Sequence, residues 1–334
     1  MHMNSTPCRV AIIQHPPVFL NLEKSIEKAS FLIEEAAEHD ANIIAFPETW
    51  LPGYPIWLDL SPRAALWDHP PAKALYKLLV QNSLKIPSPQ LQKLQITAQE
   101  SDAYVIMGAH ELMGNTLYNT MIFIGNDGTS CTLHRKLIPT YSERMIWGRG
   151  DGSTLKVFPT RHGDVGGLIC WEHWMPLARA AMHAQQERIH VAQWPWAKDL
   201  HHLASRHYAF EGQCFVLAAG CVLTRGELLD SVNSLPATDR KSVELLEELP
   251  GSEKEYVLEG GSAVIAPSSA YLKGPLYHEQ TIMYADIDVS LIIEGTMVLD
   301  TSGHYSRPDV FQLRVNDSHF LDVTFTSETE DRYD

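Results

Sequence analysis

Short apolar runs recur along the chain, separated by stretches in which apolar residues return every third or fourth position. Runs of strand length and composition lie at Cys8–Gln14, 42–46, 104–109, 118–124, 129–134, 155–158, 165–169, 189–193, 214–219, 262–266 and 281–287. Residues 21–38 have helical spacing, with Leu22, Ile26, Ala29 and Ile33 on one face and Asn21 placed as N-cap. Further helices are predicted over 64–84, interrupted at Pro70-Pro71, and over 88–102, 177–187 and 200–212. Gly125-Asn126-Asp127-Gly128 between two strand patterns signals a hairpin. Residues 225–259 are polar and acidic with weak patterning, apart from a short amphipathic run at 243–249. They read as a surface excursion from one domain, not as a second domain. Residues 326–334 are acidic and expected to fray. Strands alternating with helices, with hairpins interspersed, imply an α/β fold built on mixed sheet covered by helices.

Charge narrows the function. With 26 basic and 41 acidic residues in 334 the net charge is −15, which argues against nucleic acid or an anionic membrane as partner. Five cysteines without a CxxC pair indicate neither a disulfide framework nor a zinc site. The first residues lack the charged leader and apolar core of a signal peptide, and no run approaches the ~20 apolar residues of a membrane span. The expected setting is a reducing cytoplasm.

Three predicted strands end in a residue with chemistry. Glu48 follows Ile43-Ile44-Ala45-Phe46-Pro47, Lys136 follows the second hairpin strand, and Cys170 follows Leu168-Ile169. In open α/β sheets, sites collect at the carboxyl ends of strands. Cys170 precedes an Ala/Leu/Met-rich segment opened by Pro176, so a helix N-terminus nearby is expected to favour its thiolate. A carboxylate can take a thiol proton, and a lysine can stabilise negative charge on an electrophile. Taken singly, each residue also suits a capping, solvated or packing role. HExxH is absent, so His201, His202 and His207 read as core or solvated histidines. Gly148, Gly150 and Gly152 have no strand directly before them, so no dinucleotide site is indicated.

The segments FPETWLPGYP at 46–55, HRKLIPT at 134–140 and CWEHWMP at 170–176 resemble the three signature segments of the nitrilase branch of the carbon–nitrogen hydrolase superfamily, in that family's order. The similarity continues through SERMIWGRGDG at 142–152, QWPW at 193–196 and GHYSRPDVF at 303–311. The resemblance implies a four-layer αββα sandwich with Cys170 as nucleophile, Glu48 as general base, Lys136 as the cation near developing charge, and Glu143 close to that lysine. The Trp171 N–H is a candidate oxyanion donor, and Tyr54, Trp57 and Trp194 are candidate substrate contacts. The implied reaction is nitrile hydrolysis to the acid and ammonia through a thioimidate and then a thioester, with neither metal nor cofactor. An amidase, a cyanide-hydrating enzyme and a catalytically silent scaffold of the same fold are the alternatives. Because CWE follows the strand and GYP follows the glutamate, the nitrile reading is favoured over the amide. The resemblance further implies a homo-oligomer, a dimer or a larger spiral or filament. Residues 225–259 and the chain end are expected at or near subunit contacts, the amphipathic run at 243–249 packing either on a second subunit or on its own domain.

Overall fold

Two six-stranded sheets lie face to face, each with helices on its outer side. This is the αββα sandwich in the computed structural model, which describes residues 8–235 and 239–319. The strands are β1 Cys8–Gln14, β2 Ile43–Ala45, β3 Tyr104–Met113, β4 Thr116–Ile124, β5 Cys131–Arg135, β6 Val165–Ile169, β7 Ile189–Gln193, β8 Phe215–Ala219, β9 Val222–Thr224, β10 Tyr256–Ile265, β11 Tyr271–Tyr277 and β12 Thr281–Ile287. The first sheet runs β12-β1-β2-β3-β4-β5. The second runs β11-β10-β8-β7-β6, with β9 paired to β10. Strands β1, β2 and β3 are mutually parallel, as are β6, β7 and β8, and antiparallel strands flank both sets.

The helices are α1 Leu22–Glu38, α2 Trp57–Leu60, α3 Pro70–Gln81, α4 Pro89–Glu100, α5 Pro176–His183, α6 Asp199–Gly212, α7 Arg225–Asn233, α8 Arg240–Glu247 and α9 Leu291–Thr296. Strand β1 shows how one run serves two layers. Its Val10 and Ile12 enter the core between the sheets, while Ala11 and Ile13 enter the core beneath α1 and α4. Such a strand is apolar on both faces, which is why it reads as a continuous run. Asn21 caps α1 by accepting the Lys24 N–H.

Four expectations change. Residues 64–84 do not form one interrupted helix: a 3₁₀ turn covers Pro62–Ala65 and α3 starts at Pro70, with proline in its favoured first position. Residues 155–158 form no strand. Phe158 and Val165 exchange one pair of backbone hydrogen bonds, and Pro159 has no N–H to continue the ladder. Strand β11 carries the Gly274-Pro275 pair at a sheet edge, where proline is tolerated, and this hid it from the pattern.

Residues 225–259 are more than a surface excursion. Leu228 and Val232 of α7, and Val243, Leu245 and Leu246 of α8, are buried in the core beneath the first sheet. Helix α8 lies against α3, and Arg63 pairs with Glu244 at 2.8 Å and with Glu248. The amphipathic run thus spends its apolar face within its own chain. The acidic segment at 326–334 lies outside the described residues.

Candidate active site

Strand ends from both sheets converge on one buried cluster. Glu48 sits in the turn after β2, its N–H donating to the Trp194 carbonyl at 3.3 Å. A Cβ on Gly108 of β3 would stand 2.1 Å from the Pro47 carbonyl oxygen, so only glycine lets this turn lie against the strand. Lys136 follows β5 and donates its N–H to the Asn119 carbonyl at 2.8 Å. Cys170 ends β6 and opens a 3₁₀ turn, Cys170–Trp174, with φ of 52°. That left-handed conformation is uncommon for a non-glycine residue and tends to persist where surrounding structure enforces it.

The Lys136 ammonium donates to Glu48 Oε1 at 2.8 Å and to Glu143 Oε2 at 2.7 Å, and all three side chains are buried. Glu143 stands on the 3₁₀ turn Tyr141–Met145. Its second oxygen accepts from Tyr54 Oη at 3.1 Å, and Oε2 also accepts the Thr140 N–H at 2.6 Å. Asn119 Nδ2 donates to Glu48 Oε1 at 2.6 Å. Glu48 Oε2 is buried and has no hydrogen-bond partner in the protein. One carboxylate oxygen from each glutamate and the Cys170 sulfur lie within 4.8 Å of one another. Those three could in principle hold a cation, but Lys136 already bonds both carboxylates and supplies the positive charge.

Electrostatics define the starting protonation. Burial pushes the Glu48 carboxyl up to about 7, with Lys136 opposing. Burial drives the Cys170 thiol well above its usual range, Glu48 adds to this, and Lys136 and the Trp171 N–H oppose it. Burial would lower Lys136, but the surrounding acidic groups hold it well above its ordinary value. The cysteine therefore starts as a thiol. The expected thiolate at a helix N-terminus is revised: α5 begins only at Pro176, and Cys170 opens a short turn flanked by two carboxyl groups. A nearby base must take the proton.

Comparison with known proteins agrees with this geometry. The carbon-nitrogen hydrolase family model matches residues 9–295. The chain is 37% identical over 327 residues to a nitrilase of Pseudomonas syringae pv. syringae, covering 93% of this chain and 90% of the relative. It is 36% identical over 331 residues to an arylacetonitrilase of Aspergillus kawachii, covering 94% and 93%. The chain belongs to the nitrilase branch of the carbon–nitrogen hydrolase family. A bifunctional nitrilase/nitrile hydratase of Lupinus angustifolius is 36% identical over 330 residues, covering 97% of this chain and 90% of the relative. Among solved structures, a carbon-nitrogen hydrolase from Helicobacter pylori superposes with a TM-score of 0.66 at 18% identity, covering 91% of this chain and 97% of that one. This last likeness concerns the fold.

The remaining expected residues of this hydrolase take different places. Tyr54 belongs to the cluster through Glu143, and its ring meets those of Trp147 and Trp196 edge-on. The Trp171 ring stacks on His201, and its N–H acts to lower the Cys170 thiol. Trp57 packs edge-on against Phe19 and lines a cavity of about 510 Å³ with Tyr76, Met145 and Ile146. The Trp194 ring lies in the core against His173 and donates to Ser205 Oγ at 3.2 Å, so its contribution to the site is its carbonyl. Cys8, Cys214 and Cys221 are buried and Cys131 half-buried, and burial raises all four thiols.

Sequence reasoning missed several positioning groups. Glu172 is buried and accepts from Ile169 N at 2.7 Å, Leu137 N at 2.7 Å and His134 Nε2 at 2.9 Å, which joins the ends of β5 and β6. His110 donates through Nε2 to the Gly53 carbonyl and accepts at Nδ1 from Trp147 Nε1, both at 3.0 Å. This fixes the Trp147 ring 5.7 Å from the Lys136 ammonium. Most of these partners are dozens of residues apart, and the quoted segments contain His134, Trp147 and Glu172 without showing what they bind.

Proposed function

We propose that this chain hydrolyses an organic nitrile to the carboxylic acid and ammonia, with Cys170 as nucleophile, Glu48 as general base, and Lys136 and the Trp171 N–H stabilising developing charge. The observation that carries the reading is the unpartnered Glu48 oxygen, buried beside a protonated thiol and within reach of a buried ammonium. Glu48 takes the thiol proton as sulfur attacks the nitrile carbon. The C–S bond forms, one C–N π bond breaks, and Glu48 returns the proton to nitrogen, giving a thioimidate. Water adds as Glu48 removes its proton, Glu48 passes that proton to the nitrogen as the C–N bond breaks, ammonia leaves, and a thioester remains. A second water, activated in the same way, releases the acid and restores the thiol. A base poised near neutrality suits these repeated transfers, and such catalysis typically contributes 10²–10⁴-fold. Glu143 holds Lys136 and Tyr54 in register.

The arylacetonitrilase and nitrilase relatives favour an organic nitrile as substrate. The bifunctional relative favours some amide release, which follows if the first tetrahedral intermediate breaks its C–S bond instead of its C–N bond. The test is a panel of aliphatic, aromatic and arylacetonitriles, with ammonia, acid and amide measured together in the presence of a chelator. Acid and ammonia in equal amounts from at least one nitrile, and none from folded Cys170→Ala, are expected. Turnover by Cys170→Ala, or hydrolysis of amides alone, would overturn the reading.

A further inference from the structure

Behind the nucleophile, on the side away from Glu48 and Lys136, lies a chain of buried histidines and acids that the reaction above does not use. His173 Nδ1 is 2.8 Å from the Cys170 carbonyl oxygen. His173 Nε2 is 3.0 Å from His190 Nε2, and His190 Nδ1 is 2.9 Å from Glu187 Oε2. All three side chains are buried. Tyr208 of α6 donates to the other Glu187 oxygen, and its ring stacks on His190. From α5, His183 lies 3.5 Å from Glu187 and 3.2 Å from Glu211, which also pairs with Arg179 at 2.6 Å. The chain thus runs from the nucleophile's carbonyl towards a surface cavity of about 210 Å³ lined in part by His183, Glu187 and Glu211. The backbone is shaped to admit it. A Cβ on Gly166 of β6 would stand 1.8 Å from Glu187 Oε2, so the glycine before the nucleophile makes room for that carboxyl group.

Counting hydrogens across this chain gives a definite result. The carbonyl and the carboxylate can only accept. Three contacts in series, oxygen to nitrogen, nitrogen to nitrogen and nitrogen to oxygen, each need one hydrogen between the atoms. Two neutral imidazoles carry only two N–H groups. If His190 were neutral beside an ionised Glu187, two lone pairs would face each other across one of the gaps. A third proton therefore resides within the His173–His190–Glu187 chain. Burial lowers His190 on balance, although Glu187 opposes this, and His183 adds to the lowering. Glu187 is held down to about 2: burial would raise it, but His190 and His183 more than offset that. Burial, reinforced by His190, takes His173 well below its ordinary value. The contacts require the extra proton despite the lowering of His190, and of the two rings His190 is the one in contact with the carboxylate, so it holds that proton, with His173 neutral and protonated at Nδ1.

We propose that His173, backed by a protonated His190 and Glu187, is a positioning residue that aims the Trp171 N–H at the reacting atoms. This deepens the reading of Cys170 as nucleophile and rests on it. The peptide unit joining Cys170 to Trp171 is planar, and its C=O and N–H point to opposite sides. Anchoring the carbonyl on His173 therefore turns the N–H to the opposite side, consistent with its lowering influence on the Cys170 thiol. A donor aimed before the reaction begins stabilises the developing charge without reorganisation.

Two measurements test this. In ¹⁵N-histidine-labelled protein, His190 should have both ring nitrogens protonated at neutral pH and His173 only Nδ1. The same pattern should hold in Cys170→Ala, so this readout stands apart from activity. Glu187→Gln should return His190 to a single protonated nitrogen, because the amide can donate to Nδ1. In kinetics, His173→Leu should lose about 10²-fold in kcat, as for removal of one oxyanion donor, with KM within about twofold. His173→Asn, whose amide can donate from nearly the Nδ1 position, should regain about tenfold. A neutral His190 in the parent protein, full kcat in folded His173→Leu, or an Asn variant no better than Leu would overturn the proposal. If His173→Leu does not fold, the nitrogen spectrum and the Asn variant decide. Turnover by Cys170→Ala would instead overturn the nucleophile assignment and leave the proton count standing.

Discussion

Lys136 is one cation between two buried carboxylates, so its removal should change stability as well as rate, and in a pH-dependent way. Lys136→Met keeps the side chain's length and deletes the charge, leaving Glu48 and Glu143 facing each other without a cation. Breaking a buried pair from one side costs about 3–5 kcal/mol. The carboxyl groups can relieve this by holding a further proton that the unfolded chain, with ordinary carboxyl groups, does not hold near neutrality. Their folded-state pKa values are then raised above the unfolded ones. The stability linked to that proton is complete below the unfolded values and is lost as pH rises. One proton kept over three pH units corresponds to about 4 kcal/mol, at ~1.4 kcal/mol per unit. That matches the penalty for the bare pair. For a chain of 334 residues it is about 6 °C in Tm. Calorimetric unfolding of the parent, Lys136→Met and Lys136→Met/Glu143→Gln at pH 5 and pH 8 provides the assay. The single variant should lie near the parent at pH 5 and about 6 °C below it at pH 8. The double variant should recover most of the loss at pH 8 because one carboxylate is gone, and neither should regain turnover. A single variant as stable as the parent at pH 8, or equally destabilised at both pH values, would refute the account of Lys136 as the cation that offsets two buried acidic side chains.

Glu48→Gln should fold and lose about 10²–10⁴-fold in kcat, measured by ammonia release. In the parent, kcat/KM should rise with pH through about 7, because the base form of Glu48 is the active one; a flat profile between pH 6 and 8 would count against it. Since three buried groups interact there, the apparent value belongs to the cluster. Mass spectrometry of the parent with a slow nitrile should show an adduct on Cys170 and on no other cysteine, the other four thiols lying away from the cluster and raised by burial.

The parts of this molecule that the sequence made legible share a physical character: their cause is local. A doubly buried strand such as β1 must be apolar throughout, and an N-cap such as Asn21 must stand beside its helix. Glu48, Lys136 and Cys170 could be picked out because each lies within three residues of the end of its own strand. What could not be read depends on partners distant in sequence. The amphipathic run at 243–249 is visible in the sequence, but what covers it is not, until α3 lies across the apolar face of α8. The Gly274-Pro275 pair in β11 looks like a turn unless the strand is known to be at an edge. His134 and Glu172 are 38 residues apart, so no window joins them. The protonation state of Cys170 was misjudged for the same reason. The helix that follows it was visible in the sequence, whereas the two carboxyl groups that surround it arrive from the other sheet.

That dependence on both sheets gives Glu172 its importance. Glu48 and Lys136 hang from the first sheet and Cys170 from the second, so the cluster exists only while the ends of β5 and β6 are held together. Glu172 holds them: Leu137 N–H and His134 reach it from the Lys136 side, and Ile169 N–H from the Cys170 side. Burial would raise its pKa, but His134 and the two backbone donors more than compensate and keep it below the ordinary carboxylate range. A depressed pKa means that its contribution is present above the unfolded value and is lost as pH falls through the folded one. Glu172→Gln has the same shape but turns an NH₂ group towards one of three donors. It thereby leaves a buried donor without an acceptor, at about 1–3 kcal/mol. The strand ends can relieve that clash only by moving apart, which draws Lys136 away from the sulfur. The variant should therefore unfold at lower denaturant with an unchanged m value, and lose turnover by more than its folded fraction accounts for. Its Cys170 should also alkylate with iodoacetamide at an altered rate under native conditions. Loss of stability with parental kcat and parental alkylation would make Glu172 a brace for the fold alone. Parental stability would mean that the three short contacts to its carboxylate do not bear on the packing of the two sheets.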